Sequence, residues 1–380
     1  MYPNNKRIVI AGGGFAGLTA LRVLCRNTIP KVVSLIDLKT EFDMLPLIPE
    51  VLGGRIKGRN VSIEFRKYCR KHGAGFIHAA VQRLDIKSKN VLTNRGEIPF
   101  DYLLISTGAV VNFHNQHDVS KFSHTLRSRP DAEQIQKSII SNPHRNWVIA
   151  GGGYTGIEAA TQIRRFTRRM DTNPRIVIVE KNKEILTGTD EWIREYVIKE
   201  LDALDIEINT GMKAKIDSSN KISFSDGSDM ENGNLVWTAG VKAPSFLANS
   251  RLPTGIGGRV KADTCLNVQD QCWAAGDTAR VYDDDRLLPM FSYHAQHQGN
   301  IAAENILRAI QGEEPIPYKP VKYGFVIPLA NGKAAGEIRN RRVKGVSAIL
   351  IHHGANIYRS HTWKNRFGII SDLLRQGLSM

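Results

Sequence analysis

Four cysteines in 380 residues, Cys25, Cys69, Cys265 and Cys272, show no C-x-x-C spacing and no framework density. That excludes a disulfide-stapled fold and fits a reducing compartment. No cysteine or histidine spacing suggests a metal. His352-His353 is the one adjacent histidine pair, and neighbouring side chains usually point apart. No run approaches the roughly 18 apolar residues a membrane span needs. The first residues show no apolar signal core and no transit-like pattern. Acidic residues are the scarcer sign, 37 against 52 basic ones, for a formal charge of +15. Such an excess suits an anionic membrane face or nucleic acid. No nucleic-acid module or aromatic-interleaved basic strip accompanies it, so no nucleic-acid partner is expected.

What is present is a duplicated glycine loop. Gly12-Gly13-Gly14-Phe15-Ala16-Gly17 and Gly151-Gly152-Gly153-Tyr154-Thr155-Gly156 both read G-x-G-x-x-G. Each follows a short apolar run, Arg7 to Ala11 or Asn146 to Ala150. Each opens a helical pattern, Leu18 to Cys25 or Ile157 to Phe166. The first glycine makes the strand-to-helix turn, the second leaves room for a pyrophosphate, and the third lets helix and strand pack closely. The helix N-terminus then binds the phosphates. An acid is expected roughly 20 residues beyond the last glycine, for a ribose hydroxyl. Asp37 and Glu180 end the next strand-like runs. Two such units predict two dinucleotides and electron transfer between them.

The expected fold is α/β, with two Rossmann-like dinucleotide-binding domains and a C-terminal membrane-associating tail. The second unit reads as inserted into the first. The expected division is 1–110 plus 250–315 for the first domain, 111–249 for the second and 316–380 for the tail. The Pro-rich segment from Glu313 to Pro320 reads as a linker.

Together these residues resemble the two-dinucleotide-binding-domain flavoproteins, and most closely the type II NADH dehydrogenases (NADH:quinone oxidoreductases). Sulfide:quinone oxidoreductases and apoptosis-inducing-factor-like proteins are related. The likeness runs from about residue 6 to 310 and more weakly into the tail. It implies FAD on the first loop, held by Gly12, Gly14, Phe15, Ala16, Gly17, Asp37 and Leu38. The stretch Glu41 to Leu47, with Pro46, resembles the family's flavin-lining segment. Thr107-Gly108 and Gly276-Asp277 match its two short flavin motifs, and Trp237 to Val241 its second-domain exit strand. It implies NADH on the second loop, held by Gly151, Gly153, Thr155, Gly156, Glu180 and Gly240. An acid at Glu180 favours the free 2′-hydroxyl of NADH, although Lys181 and Lys183 could pair with a 2′-phosphate.

The resemblance implies a relay: hydride from NADH to FAD, then electrons to a quinone, without proton pumping. Glu158 matches a functionally important family glutamate. Tyr293 and His297 occupy the places of two family glutamines beside the quinone, and His297 could move a proton near neutral pH. Trp363, Phe367, Ile370 and Leu374 repeat at helical spacing between Trp363 and Leu378, downstream of Arg339, Arg341, Arg342 and Lys344. That pattern describes an interfacial helix. It places the protein peripherally on the cytoplasmic face of the cell membrane, and a homodimer is compatible with it. Rival readings are a ferredoxin or rubredoxin reductase, sulfide:quinone chemistry, and an apoptosis-inducing-factor-like signalling flavoprotein. The disulfide reductases' redox-active cysteine pair is absent.

Overall fold

The computed structural model describes residues 6–28, 30–284 and 286–377. The chain forms two compact units, each assembled from three segments. The first comprises 1–42, 63–110 and 241–321; the second comprises 43–62, 111–240 and 322–380.

The first unit is built on a six-stranded sheet. Its order is Asn267–Gln269, Cys272–Ala274, Tyr102–Ile105, Ile8–Ala11, Val33–Asp37, Gly75–His78. Ile8 pairs with Val33 on one side and Tyr102 on the other, both in parallel register. Every residue of Ile8–Ala11 is buried, as a parallel strand covered on both faces must be. The Phe15–Asn27 helix packs against the long Ser292–Gln311 helix. A Cβ on Gly299 would overlap the Ala16 carbonyl oxygen, so the two backbones meet where only glycine fits.

The second unit repeats this arrangement with four parallel strands, ordered Ile206–Thr210, Ile176–Glu180, Trp147–Ala150, Asn234–Trp237. Trp147 pairs with Ile176 and with Asn234. The loop-bearing strand thus sits second from the end in this sheet, between the acid-bearing strand and the exit strand. The first sheet has the same neighbours around Ile8–Ala11. The tail, which falls in this unit, forms an antiparallel meander, Gly324–Leu329, Lys333–Ile338 and Arg341–Lys344. Two helices follow, Gly345–Arg359 and Trp363–Gly377. Leu378 of the expected tail helix lies outside the described residues.

The Pro-rich segment is no free linker. The Ile316 amide donates to Asn305 Oδ1 at 2.8 Å, Asn305 Nδ2 donates to the Ile316 carbonyl at 2.9 Å, and Tyr318 is buried. One buried asparagine satisfies the backbone that a linker would leave to water.

Candidate functional site

The two glycine loops adopt the same geometry. Gly12 and Gly151 sit at φ of 104° and 113°, the region that favours glycine. A Cβ on Gly17 would overlap the Gly12 carbonyl oxygen, and one on Gly156 would overlap that of Gly151. Nothing lies within 4 Å of a Cβ built on Gly153, and only the Ser106 carbonyl, at 3.9 Å, approaches one on Gly14. Gly14 and Gly153 are also the helix N-caps, and neither offers a side chain to the first-turn amides. Open backbone beside uncapped amides at a positive helix end fits a pyrophosphate in both units.

Both acids are fixed by the loops themselves. Asp37 Oδ2 accepts from the Gly13 amide at 2.6 Å, and its Oδ1 from the Lys39 amide at 2.7 Å. Glu180 repeats the pattern, with Oε2 on the Gly152 amide at 2.7 Å and Oε1 on the Asn182 amide at 2.9 Å. Each oxygen keeps a further acceptor site for a ribose hydroxyl. Burial raises the Asp37 carboxyl above its ordinary value, against the lowering pull of the two amides.

A second mirrored feature escapes sequence reading. Ser106 Oγ donates to the Gly12 carbonyl at 2.8 Å. Thr238 Oγ1 donates to the Ala150 carbonyl at 2.9 Å and approaches that of Gly151 at 3.2 Å. Each hydroxyl lies just past the end of the exit strand and braces the loop from below. Its signal was there to find: a lone hydroxyl after three apolar residues in both Leu103 to Ser106 and Leu235 to Thr238.

In the first unit the structure ties the two short flavin motifs together. Thr278 Oγ1 donates to the Gly108 carbonyl at 3.0 Å and lies 3.2 Å from Thr107 Oγ1. The Gly276 amide donates to Gln298 Oε1 at 2.7 Å. Gln298 is buried and holds the turn that presents half-buried Asp277. Phe15 and Ala16 are buried, and the Phe15 ring meets Phe42 edge-on at 5.0 Å. Leu38 is exposed. Pro46 belongs to the second unit, in the turn Leu45–Leu47.

Tyr293 and His297 lie in the first turns of the Ser292–Gln311 helix, both half-buried. His294 between them is buried, with Nδ1 3.0 Å from the Tyr318 hydroxyl. Burial, then the neighbouring His297, pushes His294 down to about 4. Burial also holds His297 below the ordinary imidazole value, with Glu304 acting in the opposite sense. Both rings are therefore neutral at pH 7.

The second unit carries Glu158, Thr155 and Gly240. Glu158 is the fifth residue of the Tyr154–Arg168 helix, in its second turn. The helix dipole acts mainly in the first turn and would lower a carboxyl pKa. Instead, burial and then the Glu50 carboxylate push Glu158 up to about 8. Thr155 is exposed in the first turn, and Gly240 takes φ of 124° beside His114.

The cysteines are free, and burial raises the Cys25, Cys69 and Cys272 thiols. Among the described residues no cluster could hold a metal ion. The paired histidines do not diverge: His352 and His353 are both buried, their rings 5.4 Å apart.

A family model described as pyridine nucleotide-disulphide oxidoreductase matches residues 6–299. Demethylphylloquinone reductase NdbB of Synechocystis sp. is 26% identical, over 96% of this chain and 94% of that protein. A type II NADH:quinone oxidoreductase of Staphylococcus epidermidis is 22% identical, over 92% and 94%. The structure of NDH2 from Plasmodium falciparum in complex with NADH superposes with a TM-score of 0.85 over 98% of each chain, at 16% identity. The fold, the two loops and the span of the family match agree: this chain belongs to the pyridine nucleotide-disulphide oxidoreductase family.

Proposed function

We propose that the protein is an FAD-dependent NADH:quinone oxidoreductase that transfers electrons without pumping protons. The observation that carries the reading is the mirrored pair of loops, each with its own acid and hydroxyl brace. FAD belongs to the first unit, held by Gly12, Gly14, Phe15, Ala16, Gly17, Asp37, Leu38, Thr107, Gly108, Gly276 and Asp277. NADH belongs to the second unit, held by Gly151, Gly153, Thr155, Gly156, Glu180 and Gly240. When bound, the nicotinamide supplies a hydride and the flavin accepts it as a pair of electrons that can leave singly or together. The chain's own residues bind, orient and hold protons. The loop amides neutralise both pyrophosphates. Glu158, protonated at pH 7 by its buried setting, can donate a proton to the acceptor. Neutral His297 and Tyr293 can hydrogen-bond quinone oxygens.

Quinone as acceptor is supported by the names of the relatives, which are reductases of quinones. The thiols form no disulfide, Cys69 and Cys272 are buried and Cys25 and Cys265 half-buried, and they lend nothing to sulfide chemistry. An exposed apolar stripe on the last two helices supports docking on a membrane surface. No described helix is long and apolar enough to cross one.

Mixing the yellow protein anaerobically with NADH should bleach the flavin band within a turnover, and adding a quinone should restore it. Bleaching without recovery by any quinone, but with recovery by an iron–sulfur protein, would reject the quinone. No bleaching at all would reject the enzyme. NADH should also be oxidised faster than NADPH at equal concentration, because Glu180 repels a 2′-phosphate. Faster NADPH oxidation would show that Lys181 or Lys183 dominates that position.

A further inference from the structure

Three elements of the second unit bring ionisable groups together away from the glycine loop. The short helix Ile48–Leu52 packs on the Tyr154–Arg168 helix and carries Glu50, which is 1% exposed. Glu50 Oε2 lies 3.4 Å from Arg55 Nε, and Oε1 lies 4.0 Å from Nε2 of His353 on the Gly345–Arg359 helix. Glu50 Oε2, Arg55 Nε, Gln162 Oε1 and both ring nitrogens of His353 are buried without a hydrogen-bond partner. Gln162 is one helical turn beyond Glu158. Unmet polar atoms cost stability, and a cluster of them calls for a reason beyond packing.

We propose that Glu50 and His353 are positioning residues for Glu158, Glu50 holding a proton on it by like-charge repulsion and His353 taking up the replacement once that proton has been given away. The inference rests on the quinone reading only for the destination of the proton.

The charges around the pair support this assignment. Glu50 is the one charged neighbour that contributes to the raised proton affinity of Glu158, after burial itself. Arg55 balances Glu50, and Arg165 also faces it, with Arg169 beyond. His353 is held below the ordinary imidazole value by burial; Glu50 opposes that shift and Arg55 adds to it. His352 stands next to it but is pushed down to about 3 by burial, with His353 and Arg359 adding to the shift, and its Nε2 lies 3.1 Å from Asn356 Nδ2, so it stays neutral. At pH 7 the proton therefore sits on Glu158, and His353 keeps one bare lone pair. When the Glu158 O–H bond breaks and its proton leaves for the acceptor, a second negative charge joins that of Glu50, on the helix face whose Gln162 and Arg165 meet Gly53 just past Glu50. That added negative charge favours an imidazolium at His353. A solvent proton then binds the bare ring nitrogen and can return to Glu158, which restores the starting charge. The two sites titrate as a coupled pair.

The test is an infrared pH titration of the holoenzyme, following the protonated-carboxyl stretch that Glu158→Gln removes. The parent midpoint is expected near 8. Glu50→Gln should lower it by about one pH unit, a tenfold change in proton affinity. His353→Gln should raise the midpoint, because ionised Glu158 then lacks the imidazolium that balances it, and should slow quinone reduction about tenfold above pH 7, with a larger solvent deuterium isotope effect. Should Glu50→Gln fail to fold, Glu50→Gln/Arg55→Gln removes both buried charges and should show the same midpoint shift. An unmoved midpoint in either Glu50 variant overturns the repulsion. An unchanged rate and isotope effect in His353→Gln overturns the reloading role. If the parent reduces no quinone yet the Glu50 shift appears, it is the quinone reading that fails and not this one.

Discussion

A Gly156→Ala enzyme is expected to stay yellow and to lose nearly all NADH oxidation. The added methyl would overlap the Gly151 carbonyl oxygen, which is backbone and cannot swing away as a flexible side chain could. The helix start must move, and the amides aimed at the pyrophosphate move with it. Overpacking at such a contact costs about 1–3 kcal/mol. A loss of 2–3 kcal/mol in NADH binding is roughly a 30- to 150-fold rise in the concentration needed for half-maximal flavin reduction. Gly17→Ala makes the same overlap with the Gly12 carbonyl oxygen. It should yield colourless protein whose NADH site is intact. The ratio of flavin to protein absorbance reads the first lesion, and rapid-mixing flavin reduction against NADH concentration reads the second. Should both variants lose flavin to the same extent, or should Gly156→Ala reduce flavin normally, the assignment of one nucleotide to each loop would be wrong.

The parts of the site that follow from strand and helix rules could be read in the sequence. A strand must be apolar when both faces are covered, so Ile8–Ala11 and Trp147–Ala150 announced themselves. Glycine is forced where φ is positive or backbones touch, so the loops did too. The acids were found because a strand end fixes their position along the chain. What stayed hidden depends on partners distant in sequence. Ser106 braces a carbonyl of Gly12 and Gln298 caps the Gly276 amide; the serine stands out only beside its counterpart Thr238 at the end of the other exit strand, and nothing local marks Gln298. Glu50 reads as an ordinary helical glutamate, because its burial against Arg55 and His353 is purely tertiary. The segment before Pro320 misled for the converse reason: its prolines suggest a linker, while the ordering influence comes from Asn305 in the preceding helix. Glu158 was found by motif, but its raised proton affinity needed the neighbours to be seen.

Replacing Trp363, Phe367 and Leu374 together by serine is expected to release the protein from anionic lipid vesicles. These side chains are 69%, 65% and 65% exposed and share one face of the last helix. The helix is held to its own unit by the opposite side. Ile369 is buried, Asp372 Oδ2 accepts from the Lys57 amide and from Asn60 Nδ2, and Asn365 Nδ2 donates to the Asn60 and Ser62 carbonyls. A helix that docks by a polar face and turns its apolar stripe outward inverts the usual arrangement of a surface helix. Val346, Leu350 and Tyr358 on the preceding helix extend the apolar surface, and exposed Arg339, Arg341, Arg342 and Lys344 precede it. Fully burying one large apolar side chain contributes about 1.5–3 kcal/mol. Half of that for three residues is about 2–4 kcal/mol, or roughly a 30- to 1,000-fold weaker partition. Deleting the tail would be a poor substitute for these point changes, since Ala348 and Ile349 pack on Ala334 in the unit's own core. Vesicle co-sedimentation measures the partition, with the flavin spectrum and circular dichroism as fold controls. A second copy of the chain is the other candidate for covering the stripe. Sedimentation velocity separates the two: a dimer that dissociates in the serine variant while vesicle binding persists would make the stripe a subunit interface and leave the basic segment to reach the membrane alone.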